Sequence, residues 1–431
     1  MDTLMVKWPT AARGDRINLN SVSGKSAKIK AEELSSDGHS PAAILITLSA
    51  AVGVVMTGLG IIWPLVPVYA VQLGAGGLQV GIIIASFNLA RTLCNPLVGR
   101  LSDRWGRKPF IVAGLLLYAL VSVFYVMATR VETLILVRFL HGFTSVLVGP
   151  VAMALAADIA PAHRLGRYMG TLNMAVMLGL GAGPVLGGII RDLFGMAAAF
   201  YTMGGLALFT FMGVTAFLPG PNRNAKSAES KAVFPFKKLV SHRVVQGIFL
   251  LRFFVAAGQG SVYTFLPLLA LRMQLSSSQV GIILGLNIFL IAILQRVCGD
   301  LADRVNPIHM IITGTFISGL AVVGMPFVNG FGLILGLNIL MGIGNGIAAP
   351  AGFVITGQLG KKMGMGSIMG VTDAGWSLGM IVSPILSGII MDTLDLPSIF
   401  ITGGFLIITG TILISIFLKG YGNTKQGPVK D

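Results

Sequence analysis

The chain has 431 residues, 54% apolar and only 11% charged, with a mean hydropathy of +0.84. Soluble domains carry roughly 25% charged residues, so the solvent for most of this surface is lipid rather than water. The net charge of +15 lies in short segments between apolar runs, which fits basic loops facing anionic headgroups and excludes nucleic-acid binding as its explanation.

The first forty or so residues are polar, with neither an apolar core nor a small-residue cleavage site. They are expected to form a disordered cytoplasmic tail over 1–42. Gly24-Lys25-Ser26 has the ending of a phosphate loop, but Leu19 stands where the first glycine belongs and no strand precedes it. An ATP-driven pump is therefore disfavoured.

Twelve stretches long enough to span a core of roughly 30 Å follow. The first six lie at 43–71, 78–99, 109–129, 133–157, 168–190 and 198–218; the others lie at 244–271, 279–298, 308–328, 331–354, 365–390 and 398–418. Basic residues gather after the even-numbered spans: Arg100, Arg104, Arg107 and Lys108, then Arg164 and Arg167, then Arg304, then Lys361 and Lys362. The opposite loops carry few, such as Arg130, Arg191 and Arg272. Both termini are thus expected in the cytoplasm of a multi-pass protein, in a bacterial inner membrane or an internal membrane derived from it. Cys94 and Cys298 are too few for a disulfide framework and read as small packing residues. The hydrophilic gap at 219–243 divides an N-terminal bundle (43–218) from a C-terminal one (244–418), and 419–431 forms a second tail.

The two halves are repeats. Gln79 through Ile83 recur as Gln279 through Ile283, 200 residues on. In the same register Gly99, Asp103 and Arg104 match Gly299, Asp303 and Arg304, and Pro184, Gly188 and Asp192 match Pro384, Gly388 and Asp392. Repeated bundles with a site between them near the bilayer midplane are the architecture of secondary transporters.

Three motifs sharpen this. The stretch from Gly99 to Lys108, Gly-Arg-Leu-Ser-Asp-Arg-Trp-Gly-Arg-Lys, closely resembles the signature loop between the second and third helices of the major facilitator superfamily. That resemblance implies a conformational latch of Gly99, Asp103, Arg104, Gly106, Arg107 and Lys108. Gly99 would admit a neighbouring helix, Asp103 would cap a helix N-terminus, and the arginines would bridge to Asp158. A weaker copy holds Asp303 and Arg304. In the fifth span, Gly179, Gly183, Pro184, Gly187 and Gly188 form a run that resembles the antiporter motif of the drug–proton exporters. Such a run exposes backbone for close helix packing, and the proline bends the helix. Gly60 through Pro67 resembles a further pattern of that branch. The resemblance covers residues 43–418 and implies an all-α membrane fold of twelve helices in two pseudo-symmetric six-helix bundles.

Ionisable residues inside a membrane are costly and point to mechanism. Arg138 matches an arginine that the family places in the fourth span, which implies a part in proton transfer or anion binding; a snorkelling role is the alternative. His141 lies one turn on and is either titratable or a packing histidine. Asp373 is a candidate for proton coupling, or else a structural partner of Arg91 or of a nearby helix end. Arg91, Arg252 and Arg296 read as latch or snorkelling residues. Asn88, Asn173, Gln259, Tyr263, Asn287 and Asn345 offer neutral polar groups to a cavity, and each could equally make an interhelical bond.

The leading expectation is a proton-coupled antiporter, functional as a monomer, that exports a moderately hydrophobic organic compound by rocking its halves. Carriage of one metabolite, siderophore or metal complex stays open, because the first span lacks the acid of several family exporters. A non-transporting scaffold or sensor is the reading of another class. No nucleophile–base set, metal motif or cofactor motif points to an enzyme.

Overall fold

A computed structural model describes residues 41–161, 164–218 and 241–418. Most of the expected tail at 1–42, most of the linker at 219–243 and all of 419–431 lie outside the described residues. Among those described, every regular element is helical, because a backbone in hydrocarbon must satisfy its own hydrogen bonds. The first half contributes α1 (Pro41–Gln72), α2 (Gly77–Trp105), α3 (Arg107–Met127), α4 (Val131–Ile159), α5 (Leu165–Phe194) and α6 (Met196–Phe217). The second contributes α7 (Arg243–Arg272), α8 (Ser277–Arg304), α9 (Pro307–Gly324), α10 (Phe331–Met363), α11 (Met365–Thr393) and α12 (Leu396–Phe417). All twelve are long and apolar enough to cross a membrane.

Several helices outrun their apolar spans. The stretch expected as a loop after α2 is itself helical, and Ser102 Oγ donates to the Gly99 carbonyl at 2.9 Å. Only Gly106 breaks the path, at φ 90°, where a side chain would be strained. The correction has a simple cause: charged turns beyond the bilayer keep their helical hydrogen bonds while their side chains meet water.

Packing follows the repeat. In the first half α1 lies on α5 and α6, α2 on α4, and α3 on α4 and α6; in the second, α7 lies on α11 and α12, α8 on α10, and α9 on α10 and α12. The α5 glycines bring the α1 backbone especially near. A methyl group at Gly179, Gly183 or Gly187 would run into the α1 backbone at Gly53, Thr57 or Ile61. In the second half, serines take over part of this seam. Ser383 Oγ donates to the Ala257 carbonyl, and Ser387 Oγ lies 3.0 Å from Ser261 Oγ.

The halves meet crosswise, α2 against α11 and α5 against α8. At the end of these helices away from the basic residues, Gly77 abuts Gly388, Gly81 abuts Pro384, Gly188 abuts Ser277 and Gly281 abuts Pro184, each too tightly for a Cβ. At the basic end the same four helices carry Gly99, Gly166, Gly170, Gly299, Gly366 and Gly370, and a Cβ on any of them would meet open space. The bundle is therefore closed on one side and parted on the basic side.

Candidate functional site

A cavity of about 290 Å³ occupies the bundle. Its wall comes mainly from α7 to α11; the first half supplies only Trp63, Met177 and Leu180. Trp63 and Tyr263 occupy equivalent positions of the repeat, and their rings pack with centroids 4.8 Å apart. Polar groups converge from Gln259, Asn345, Thr315, Thr372 and Asp373. The Arg252 guanidinium lies over the Trp376 ring, 4.7 Å from its centroid. Arg91 and Arg252 both attract Asp373, from α2 and α7 respectively, although neither forms an ion pair with it among the described residues.

Of the expected cavity residues, Gln259, Tyr263 and Asn345 line this space, as does Asp373, the proton-coupling candidate. The others do not. Asn173 is exposed outside it. Asn88 crosses the seam instead, its Nδ2 3.4 Å from the Met380 carbonyl. Asn287 is fully buried and donates to the Asn338 carbonyl at 2.7 Å, an interhelical bond.

Arg138 and His141 are enclosed within the first half, at 1% and 0% exposure. Arg138 Nη1 donates to the Tyr125 hydroxyl at 3.4 Å, and that hydroxyl lies 2.9 Å from His141 Nδ1. The guanidinium also sits 4.6 Å from the centroid of Phe87, and Tyr118 packs edge-on against His141. Neither residue lines the cavity, so direct solute contact is not their position in this conformation.

The signature stretch forms a compact charge cluster at the basic side. Arg107 pairs with Asp103 at 2.6 Å and with Asp158 at 3.3 Å, and it donates to Ser102 Oγ at 3.0 Å. Lys108 donates to the Leu218 carbonyl. Asp103 thus bonds one turn away rather than capping a helix across the seam, and no helix approaches Gly99. Both differences from expectation follow from the parted basic side. Arg104 and Arg304 are exposed, and the side chain of Asp303 is outside those described.

The sequence matches the description Major Facilitator Superfamily over residues 48–308 and 248–430. The chain belongs to this superfamily. It is similar to an MFS-type transporter of Methanocaldococcus jannaschii, with 32% identity over 83% of this chain and 94% of that protein. Multidrug resistance protein 2 of Bacillus subtilis is 25% identical over 87% of this chain and 95% of its own length. Two solved structures share the fold. A bacterial homologue of the lysosomal transporter Spinster, in an inward-facing and unoccupied conformation, has a TM-score of 0.73 at 14% identity, over 89% of this chain and 96% of that one. A nucleoside transporter has a TM-score of 0.75 at 13% identity, over 87% of this chain and 99% of that one. The protein is accordingly a multi-pass transporter of small solutes and not an enzyme.

Within this facilitator fold, sequence reasoning missed four contacts. Asp392 at the end of α11 accepts from the Gly77 and Leu78 amides at 2.6 and 2.8 Å, capping α2 across the seam. Asp192 at the end of α5 does the same for α8, accepting from the Ser277 and Ser278 amides at 3.2 and 2.7 Å. Both acids were visible as a matched pair in the repeat, but their partners lie on other helices. The Arg252–Trp376 stack and the Trp63–Tyr263 contact likewise join residues distant in the chain. Only the shared register of Trp63 and Tyr263 hinted at the latter.

Proposed function

We propose that the chain is a proton-coupled secondary transporter that exports a small amphipathic organic compound by alternating access. One juxtaposition carries the reading. A largely apolar cavity holds Asp373, the only carboxylate among the described residues more than two turns from both ends of its helix. Taking the basic side as cytoplasmic, the cavity sits in the half of the cycle in which an exporter loads from the cell. Both chain termini then lie in the cytoplasm, and a single chain supplies both rocking halves. The names of the relatives, which include a quinolone resistance protein of Staphylococcus aureus, support efflux. Exchange of solute for a proton at Asp373 is the coupling that the drug-exporter resemblance supports. The charge cluster around Arg107 would form the latch, closing on Gly99 when the basic side shuts.

The test is flux in proteoliposomes with a panel of amphipathic solutes, with and without an imposed proton gradient. Gradient-driven flux is expected, and Asp373→Asn should abolish its dependence on the gradient. Flux indifferent to the gradient in both proteins would sink proton coupling through Asp373.

A further inference from the structure

The membrane interior of this protein is unbalanced in charge. Arg91, Arg138 and Arg252 all lie more than a turn inside their helices and are buried or half-buried, whereas Asp373 is the only acid at comparable depth among the described residues. None of the three arginines has a carboxylate within 4.0 Å among those residues. Charge in such a place is expensive unless something neutralises it.

Arg138 is sealed in the first half, but Arg252 stands in the cavity wall. A guanidinium presents five donors and no acceptor. Trp376 covers one face of Arg252 and offers it no acceptor, and Arg252 Nε is buried without a hydrogen-bond partner. Leaving such donors unmade is costly. The remaining wall is mostly apolar, with Trp63, Tyr263 and Ile288 among its residues. A planar oxyanion is the group that answers a free guanidinium fork, and it does so with two parallel bonds. A cationic solute would meet Arg252 and Arg91 together against one carboxylate. The cavity volume lies near the lower end of the usual range of about 300–1,000 Å³, which suits a body of one or two rings.

We propose that the cavity binds small amphipathic organic anions, with the carboxylate or sulfonate head on Arg252 and the apolar body against Trp63, Tyr263 and Ile288. This rests on the transporter reading in taking the cavity as the solute site, and departs from it in one respect: an anion that binds best with Asp373 protonated moves with the proton instead of exchanging for it. Asp373 then competes with the ligand for the positive field of Arg252 and Arg91.

The experiment is equilibrium titration of the full-length protein in nanodiscs with three probes of one shape: 1-naphthoate, 1-naphthalenemethanol and 1-naphthylmethylammonium. Naphthoate should bind about tenfold more tightly than the ammonium probe, the difference of one desolvated charge contact. Arg252→Gln should remove that preference while the neutral alcohol changes by no more than about twofold, which also reports on folding. Arg252→Lys should keep part of the preference, since it keeps the charge without the fork. Asp373→Asn should tighten naphthoate binding. Equal affinities, a preference for the ammonium probe, absence of saturable naphthoate binding, or an unchanged preference in Arg252→Gln would overturn the proposal. Binding in nanodiscs needs no turnover. Anion preference without flux would therefore defeat the transporter reading alone, and flux without anion preference would defeat this one alone.

Discussion

The two halves share helices, bends and packing seams, yet among the described residues the first packs solid around its aromatic rings and the second walls most of the hollow. At three positions of the cavity wall the first half carries the larger apolar side chain, Leu115 against Thr315, Val148 against Ala348 and Ala152 against Gly352, whereas at others, such as Trp376 against Val176, the second half does. Its polar interior is likewise plugged with rings. Phe87, Tyr118, Tyr125, Arg138 and His141 pack together there, where the second half has Asn287, Ser318, Met325, Asn338 and Met341. The duplicated scaffold thus packs rings into the interior of one copy and places most of the cavity wall on the other.

The largest test of this contrast is Asp373→Asn, because it removes the single deep carboxylate of the hollow half. Loss of gradient-driven flux is expected, by two orders of magnitude or about that. The sense of coupling depends on the charge of the solute. A solute that pairs with Asp373 itself exchanges for a proton. An anion that competes with Asp373 for Arg252 binds best when the carboxylate is protonated, and so travels with the proton. The charge of the solute and the direction of the proton are one question. Measuring uptake under gradients of opposite orientation answers it: stimulation by acid on the solute's own side marks co-transport and weighs against exchange.

A smaller effect should come from giving the second half the side chains of the first. Thr315→Leu with Ala348→Val adds volume at two cavity positions that already sit on well-formed helices. Filling the chamber should weaken solute binding about tenfold while the protein still folds. Undiminished binding, read by the same nanodisc titration, would place the solute elsewhere and end the argument that the hollow half is the site.

The solid half should respond oppositely. Tyr125→Phe removes the hydroxyl shared by Arg138 and His141, leaving two buried polar groups without it. A stability loss of about 1–3 kcal/mol is expected, seen as a lower thermal midpoint with little change in solute affinity. A large fall in affinity at unchanged stability would instead tie Arg138 to the solute.

These contrasts were only partly legible beforehand. Helix number, repeat register and the α5 glycine ridge follow from composition and spacing, because lipid leaves the backbone few options. Asp373 was readable for the same reason, as an acid in an apolar run. Which polar residues face the cavity was not, and Asn88, Asn173 and Asn287 show why. Each sits on a seam helix, where the neighbouring helix decides its facing: Asn88 bonds across the seam, whereas Asn287 bonds to Asn338 within its own half. Arg252 read as a latch or snorkelling residue because nothing local revealed Trp376 beneath it.

One region escapes the contrast, and it gives the smallest effect. At the closed side the halves match in chemistry as well as shape, with Asp192 capping α8 and Asp392 capping α2. Each carboxylate meets the positive end of a helix and accepts two amide bonds. Both lie at the surface, where water screens them, so each is worth about 1 kcal/mol, or about fivefold in the ratio of the two conformations. Asp192→Asn and Asp392→Asn should each shift the balance toward opening of that side, and the pair should shift it roughly additively because the clasps share no partner. Spin labels at the exposed Gln72 and Arg272, at the ends of α1 and α7 there, would register this as a growing long-distance component. If the double variant leaves the distances unchanged, closure rests on the glycine–proline seam alone. If one variant has the whole effect, the halves differ here too, and the clasps follow the same division of labour as the rest of the molecule.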